Sequence, residues 1–127
     1  MANNAKNLAE LLYTDSTNAF DDAATNNFEP KFLWETKTSA FNVSASRGYF
    51  VDTSGAPVTA TLPTSPTTGD IVRFVDLSAT FDTNNLTVAR NGKKIQGDAS
   101  DMTVATERAG FTLVFSGDTQ GWVLMEK

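Results

Sequence analysis

The side chains that most often act in enzyme mechanisms are unevenly represented in this sequence. Its 127 residues include no histidine and no cysteine. A Ser-His-Asp or Cys-His nucleophile is therefore excluded, and so is a zinc site made of the usual imidazole and thiolate ligands. Any acid–base chemistry would rest on carboxylates, lysine or tyrosine.

Several carboxylates are candidates for metal ligands. Asp98 and Asp101 flank an Ala-Ser pair, and Asp82 precedes Asn84 by two positions. A calcium loop places oxygen ligands at alternate positions and ends on a glutamate, and neither stretch has that full pattern. We expect these carboxylates to accept hydrogen bonds within turns instead. A glycosidase would need two carboxylates across a cleft, for which the sequence gives no signal. We predict no metal site, no cofactor and no enzymatic activity.

A basic cluster surrounds a turn signal. Arg90, Lys93 and Lys94 flank Asn91-Gly92, which lies between two alternating apolar and polar runs. Asn-Gly in this setting predicts a two-residue hairpin with positive φ at both residues. The three basic side chains could contact an acidic partner surface, or they could be solvated charge at a hairpin tip. The net charge of −5 predicts that the chain does not bind nucleic acid.

The aromatic residues of the second part of the chain lie at strand spacing, which is typical of a hydrophobic core. A sugar-stacking platform is the alternative. Trp122 follows Thr-Gln-Gly and is predicted to be partly exposed, as a possible surface contact. The aromatics concerned are Phe50, Phe74, Phe81, Phe111, Phe115 and Trp122.

These side chains must be positioned by β-strands, because the apolar residues recur with a period of two from residue 41 onward. Eight short runs are separated by turn clusters such as TSGAP, RNGK and SGDTQG. The run DIVRFVD is apolar on both faces and predicts a central strand. We predict a mainly β fold, an antiparallel β-sandwich or small barrel of about eight strands. No crossover helix is expected after residue 40.

Residues 1–40 differ from the rest of the chain. A stripe that includes Leu8, Leu11 and Leu12 predicts a helix of about ten residues, too short to be stable alone. The stripe must pack on its own domain, a sister subunit or a larger partner. A polar linker, residues 15–27, then leads to FEPKFLWE, residues 28–35, which we interpret as a docking segment rather than a regular element. These aromatics could instead cover one end of the following domain.

The predicted organisation is therefore an N-terminal anchor of a short helix and an extended arm, residues 1–40, and a β-module, residues 41–127. No apolar run reaches the roughly 20 residues that span a bilayer, and the beginning of the chain lacks the features of a signal peptide. No membrane partner is expected. The predicted docking residues of the anchor are Leu8, Leu11, Leu12, Phe28, Phe32 and Trp34.

Residues 48–125 resemble a β-module of structural proteins from tailed phages, notably tail-fibre-like proteins of cyanophages. The resemblance lies in VTATLP followed by GDIVRFVD, then NNLTVARNGKKIQG and LVFSGDTQGWVL. The beginning NNAKNLAELL is similar to the virion-anchoring starts of such fibre proteins. Fibre proteins usually have a long shaft, whereas these 127 residues are expected to hold an anchor-like segment and one module.

The resemblance implies a non-enzymatic virion protein, made in the host cytoplasm and docked to capsid or tail proteins by its N-terminal segment. A decoration or cement subunit is the expected role. A short tail fibre or adhesin that binds a host glycan or receptor is the alternative. A homo-oligomer is expected, with a trimer as one form, because trimers are common among phage fibre-like modules.

Overall fold

The structure is a computed structural model that describes residues 32–126. The helix predicted near the N-terminus, with Leu8, Leu11 and Leu12, lies outside these residues, and so does Phe28. The described part of the chain forms strands and no helix. It accordingly offers no helix with the length and apolar character needed to cross a membrane.

Nine strands form, and the last eight coincide with the eight alternating runs of the sequence. The mainly β prediction is confirmed for this part of the chain. The strands are β1 (Leu33–Lys37), β2 (Phe41–Asn42), β3 (Arg47–Val51), β4 (Val58–Thr61), β5 (Ile71–Asp76), β6 (Leu86–Ala89), β7 (Met102–Val104), β8 (Gly110–Phe115) and β9 (Trp122–Glu126).

The strands build two sheets. One has five strands in the order β9-β8-β5-β3-β1, and the other has four in the order β2-β4-β6-β7. Strand β5 lies in the middle of the five-stranded sheet, as its two apolar faces predicted. Inward-facing residues of both sheets join one hydrophobic core, which includes Val51, Phe74 and Phe111 from one sheet and Ala60 and Val88 from the other.

The prediction of antiparallel sheets is wrong, because both sheets are mixed. Strands β1, β3 and β5 are parallel neighbours, and so are β2, β4 and β6. Only β6–β7, β5–β8 and β8–β9 pair antiparallel among the described strands. Parallel neighbours need a crossover connection, which is usually a helix. Here each crossover is a strand of the other sheet, so the first six strands alternate between the sheets and no helix is required.

The docking segment FEPKFLWE is partly a regular element, contrary to prediction. Its last residues belong to β1, which pairs in parallel with β3 so that Trp34 lies beside Gly48 and Thr36 beside Phe50. The sequence of β1, LWETK, lacks a run of β-branched residues. Backbone hydrogen bonding to β3 forms the strand despite that weak local preference. Strand β1 precedes residue 41, the predicted start of the β-module.

The Asn-Gly turn forms, but the hairpin does not. Asn91 and Gly92 have φ of 52° and 94°, and the Lys93 N–H donates to the Arg90 carbonyl at 3.3 Å. The chain beyond the turn does not return along β6, whose two edges are occupied by β4 and β7. Ile95 instead bridges in parallel to Trp122. Ile95 is buried together with Leu86 and Val88, as predicted.

Candidate functional site

The two predicted docking residues that the structure describes lie together on the outer face of the five-stranded sheet. Trp34 remains 40% exposed and stacks on Phe50 of β3, with ring centroids 4.7 Å apart and planes inclined by 24°. The Phe32 ring is 6.2 Å from the Trp34 ring in a tilted arrangement. Stacked and tilted aromatic pairs at these distances are mutually stabilising, so Phe32, Trp34 and Phe50 form an aromatic cluster at the β1 edge.

Gly48 allows Trp34 to lie flat against the sheet. The two residues are register partners in β1 and β3, and a Cβ atom at Gly48 would come within 2.5 Å of the indole ring. Any larger residue would therefore displace the indole. The exposed indole of Trp34 therefore packs over Gly48 and stacks on Phe50.

Arg73 adds a positive charge beside the aromatic cluster. It lies on β5 directly beside Gly48, and its guanidinium carbon is 4.9 Å from the centre of the Phe32 ring, within the range of a cation–π interaction. The Arg73 Nε is buried and has no hydrogen-bond partner among residues 32–126. Its N–H is a donor that water does not reach.

The outer face of the five-stranded sheet is otherwise largely apolar. Residues that alternate with the core positions of its strands point outward, and most of them are half-buried aromatic or aliphatic side chains. We call this surface the apolar face; its members are Trp34, Phe50, Ile71, Val75, Val114 and Val123, with Arg73, Thr36 and Thr112 as polar members.

The outer face of the four-stranded sheet has a different composition. Thr59, Thr87 and Thr103 are neighbours across β4, β6 and β7, and Thr61 lies beside Ala89. Threonine suits a strand and presents a hydroxyl to water. One sheet thus has a polar outer surface and the other has the apolar face, so apolar character is not a general property of the outer positions.

Charged residues lie at the β1 edge on the side of the sheet opposite the apolar face, because Glu35 and Lys37 alternate with Trp34 and Thr36 along the strand. Glu35 accepts from Lys37 Nζ at 3.0 Å and also pairs with Arg47 of β3. The hydrogen bond from Lys37, together with the nearby charges of Lys37 and Arg47, keeps the pKa of Glu35 below its usual range. Because these groups are solvent-exposed, they fix the orientation of side chains at this edge more than they stabilise the fold.

The basic cluster is engaged within the molecule. Lys93 Nζ is 2.9 Å from the Asp118 carboxylate and 6.0 Å from the centre of the Phe115 ring. The Arg90 guanidinium donates to the Lys93 carbonyl at 3.1 Å, while Lys94 is exposed. Two of the three predicted contact residues therefore have intramolecular partners, and this part of the surface carries an acidic residue as well.

Trp122 was predicted to be partly exposed, and this is wrong: its exposed fraction is 0%. It pairs with Phe115 in the β8–β9 ladder, and the two rings are 5.3 Å apart in the core. Ile95 bridges to its other side. The Thr-Gln-Gly turn before it is at the surface, but strand pairing directs the indole inward. Phe50 also departs from the predicted core position, because it belongs to the apolar face.

Two of the three aspartates named as candidate metal ligands, Asp98 and Asp101, line one small cavity beside Ile95. Asp101 accepts from the Arg90 N–H at 2.9 Å, across eleven positions of sequence rather than within its own turn. Within residues 32–126, no three acidic side chains come close enough together to hold a metal ion. Asp52, for which no prediction was made, accepts from the N–H of Ser54, two residues further along the chain, at 2.9 Å.

Gly48, Phe50 and Arg73 were not predicted to be parts of this surface. A signal was present, because GYFVD and DIVRFVD carry apolar residues at both alternating sets of positions. For DIVRFVD that pattern was assigned to burial between strands. The same pattern also indicates that the outer surface of the sheet is apolar.

Comparison with known proteins adds no relative: no protein-family model matches the chain, and no curated protein matches it.

Proposed function

We propose that the chain is a non-enzymatic accessory structural protein of a tailed-phage virion. In this proposal the N-terminal segment docks to the particle and the β-module is displayed, most simply as a decoration or cement subunit. The two sheets with their common core would form a sandwich-like module. Capsid or tail proteins are the expected partners, and a homo-oligomer such as a trimer is the expected state.

The aromatic cluster at the β1 edge is the observation that carries the proposal. Trp34 is 40% exposed, although a large aromatic side chain gains most free energy when it is buried. It lies close to the point where residues 1–31 join the described part. Together with the resemblance to phage β-modules, an exposed aromatic next to a predicted anchor supports attachment to a larger assembly.

An adhesin is the second candidate, and one cavity favours it. A groove of about 300 Å³ opens beside β7 and is lined by Met102, Val104, Phe111 and Leu124 among others. Its lining is mainly apolar, so it suits an apolar side chain of a host surface protein better than a glycan, which would need several polar partners.

Localisation on the particle separates the two candidates. Antibody-labelled protein distributed over the head supports decoration, and label confined to the tail supports adhesion. No label on purified particles would contradict both.

The anchor is tested by a double substitution, Leu8→Asp with Leu11→Asp, in the full chain. If the predicted leucine stripe is buried on the particle, each carboxylate costs several kcal/mol of binding free energy. Incorporation should fall while the thermal midpoint of the β-module is unchanged. The matched control is Asn3→Asp with Asn4→Asp, which adds the same charge outside the stripe. Normal incorporation of the leucine variant would remove the anchoring hypothesis.

A further inference from the structure

One side of the molecule is open between the edges of the two sheets. Strand β7 is an edge strand of the four-stranded sheet, and β9 is an edge strand of the five-stranded sheet. The groove of about 300 Å³ lies between them, and its walls include Met102 and Val104 of β7 and Leu124 of β9. We call this cavity the β7 groove.

The side chains that line the β7 groove point toward the core but are not fully covered. Met102 and Val104 are register partners of buried residues in β6, so their side chains point inward. They remain half-buried all the same, as does Leu124. Ala105, which also lines the groove, is exposed. An apolar group from outside can therefore reach this part of the core.

The edge of β7 lacks the features that keep strand edges from pairing with other chains. Within residues 32–126, β7 pairs with β6 alone. Its sequence, Met-Thr-Val, contains no charged residue and no proline, both of which commonly protect an edge. Strand β1, at the edge of the other sheet, differs because it carries Glu35 and Lys37. The outer edge of β7 therefore offers backbone groups to an added strand.

Two exposed aspartates lie beside the same edge. Asp98 and Asp101 line the smaller cavity, of about 150 Å³, and Met102 lines both this cavity and the β7 groove. Asp101 accepts from the Arg90 N–H through one carboxylate oxygen. The Asp98 carboxylate has no hydrogen-bond or ion-pair partner in the part of the chain that the structure describes. These charges favour a partner that brings a positive charge to the edge.

We propose that the β7 edge binds an extended segment of another protein, which pairs with β7, places an apolar side chain in the β7 groove and pairs a lysine or arginine with Asp98 or Asp101. Residues two apart on a strand point to the same side, about 6.8 Å from each other, so one residue would separate the apolar and the basic side chain. The segment is defined by its chemistry and not by the assembly from which it comes. Its binding therefore goes beyond the proposed function and does not depend on it.

A second copy of the chain fits this edge less well. The chain has a net charge of −5, so two copies repel each other. The contact is also short, since β7 has three residues. One short edge and one groove suit an extended segment better than a folded domain, because each partner of a stable complex buries roughly 800 Å².

The experiment uses the isotope-labelled full chain and three heptapeptides with blocked ends. The test peptide, Thr-Lys-Thr-Leu-Thr-Lys-Thr, presents its leucine and both lysines on one side of a strand in either chain direction. A second peptide has glutamate in place of both lysines. A third, Thr-Thr-Lys-Leu-Lys-Thr-Thr, has the composition of the test peptide but presents its lysines on the side opposite the leucine.

The test peptide should bind saturably and change the amide chemical shifts of residues 98–104. It should bind roughly fivefold more tightly than either of the other peptides, because only its lysines reach the aspartates while its leucine lies in the groove.

Substitutions test the two halves of the site separately. Ala105→Phe places a ring at the β7 groove and should weaken binding of the test peptide roughly tenfold or more, because the leucine of the peptide is no longer buried. Thr59→Phe adds the same ring on the exposed threonine face and should leave the affinity unchanged. Asp98→Asn with Asp101→Asn should remove the preference for lysine over glutamate, since asparagine retains an acceptor for the Arg90 N–H but carries no charge. Thermal midpoints identify any variant that fails to fold.

Several results would overturn this inference. They are equal affinities of the test peptide and the peptide with lysines opposite the leucine, shift changes confined to residues outside 98–104, and no saturable binding at millimolar peptide. Self-association that Ala105→Phe abolishes, measured by analytical ultracentrifugation, would identify a second copy as the occupant. Nuclear Overhauser contacts from residues 1–31 to Leu124 in the free chain would identify its own N-terminal part. Either occupant contradicts the binding of another protein, whereas the proposed function is tested separately on particles.

Discussion

Asp76 is fully buried at the end of β5, and its carboxylate holds two loops. It accepts from the Thr80 and Phe81 N–H groups, each at 3.1 Å, and from the Arg108 N–H at 2.9 Å. Burial alone would raise the pKa of this carboxyl, but the backbone hydrogen bonds from Phe81, Arg108 and Thr80 outweigh it and keep the pKa below the ordinary aspartate value of 3.8. The ionised form is therefore the one that the fold binds.

Asp76→Asn should destabilise the protein by about 1–3 kcal/mol at neutral pH, the cost of leaving a buried donor unsatisfied. An asparagine has one acceptor oxygen, and its NH2 group would replace the other carboxylate oxygen. That NH2 group would face a backbone N–H, and both are donors that need an acceptor. Urea unfolding of wild type and variant measures the difference, with exposed Asp82→Asn as the control.

The same pair of proteins tests the pKa. Because the folded pKa lies below the unfolded value, the stability from ionised Asp76 is complete above about pH 4 and is lost as the pH falls through the folded pKa. The difference in unfolding free energy between wild type and Asp76→Asn should shrink in that acidic range. Taking the difference removes the parallel contributions of Glu35 and Asp52, whose pKa values are also lowered. A difference that stays constant down to pH 2 would contradict the assignment.

Gly92 has a φ of 94° in open surroundings, so a substitution there tests backbone strain without a steric clash. Gly92→Val should cost about 1–3 kcal/mol, because a β-branched residue is disfavoured at positive φ. Gly55→Val is the matched control, since Gly55 is equally unobstructed and its φ lies outside the left-handed region. Equal thermal midpoints for the two variants would show that the turn does not require a glycine.

At the scale of the strands, β1 is held by an aromatic contact as well as by backbone pairing. Gly48→Ala places a methyl group where the Trp34 indole lies, and we expect a loss of about 1–3 kcal/mol from overpacking. In a Trp34→Ala background the same substitution should cost much less, because nothing then occupies that position. Gly110→Ala in β8, where the nearest atom is 4.0 Å away, is the control. Additive effects of Gly48→Ala and Trp34→Ala would mean that the two residues are not coupled.

The strands themselves were largely predictable and their pairing was not. Alternation of apolar and polar residues located β2 to β9, since the period of two is a local property of the chain. Strand β1 was missed because LWETK does not alternate clearly, and it becomes a strand only through its partner β3. Parallel and antiparallel pairing place the same residues inward, so alternation cannot distinguish them.

For the molecule as a whole, the sequence predicted a module with one core but not the alternation of the chain between two sheets. That alternation depends on the direction of the chain after each turn. Turn residues specify local dihedral angles but not the strand with which the following segment pairs. The Asn91-Gly92 turn illustrates this point: its dihedral angles were predicted, yet Ile95 continues to Trp122 rather than back along β6.

The candidate site could be predicted only in part, because its residues come from strands whose pairing was not predicted. Exposed aromatics near the anchor, such as Trp34, could be suspected from composition alone. The role of Arg73 could not, because its neighbours Gly48 and Phe32 come from separate parts of the chain. Leu8, Leu11, Leu12 and Phe28 lie outside the described residues, and their docking role stays a prediction.

We propose that residues 32–127 form a module that folds by itself and that residues 1–31 attach it to the particle. A chain beginning at Phe32 is compared with the full chain, by thermal unfolding followed by circular dichroism and by quantitative mass spectrometry of purified particles. A chain beginning at Ser39, which lacks β1, serves as the reference for a damaged sheet. We predict that the chain from Phe32 unfolds cooperatively, with a midpoint close to that of the full chain, and that its occupancy on the particle falls steeply. A chain from Phe32 that is unfolded, or that joins the particle as well as the full chain, would contradict this division of the chain.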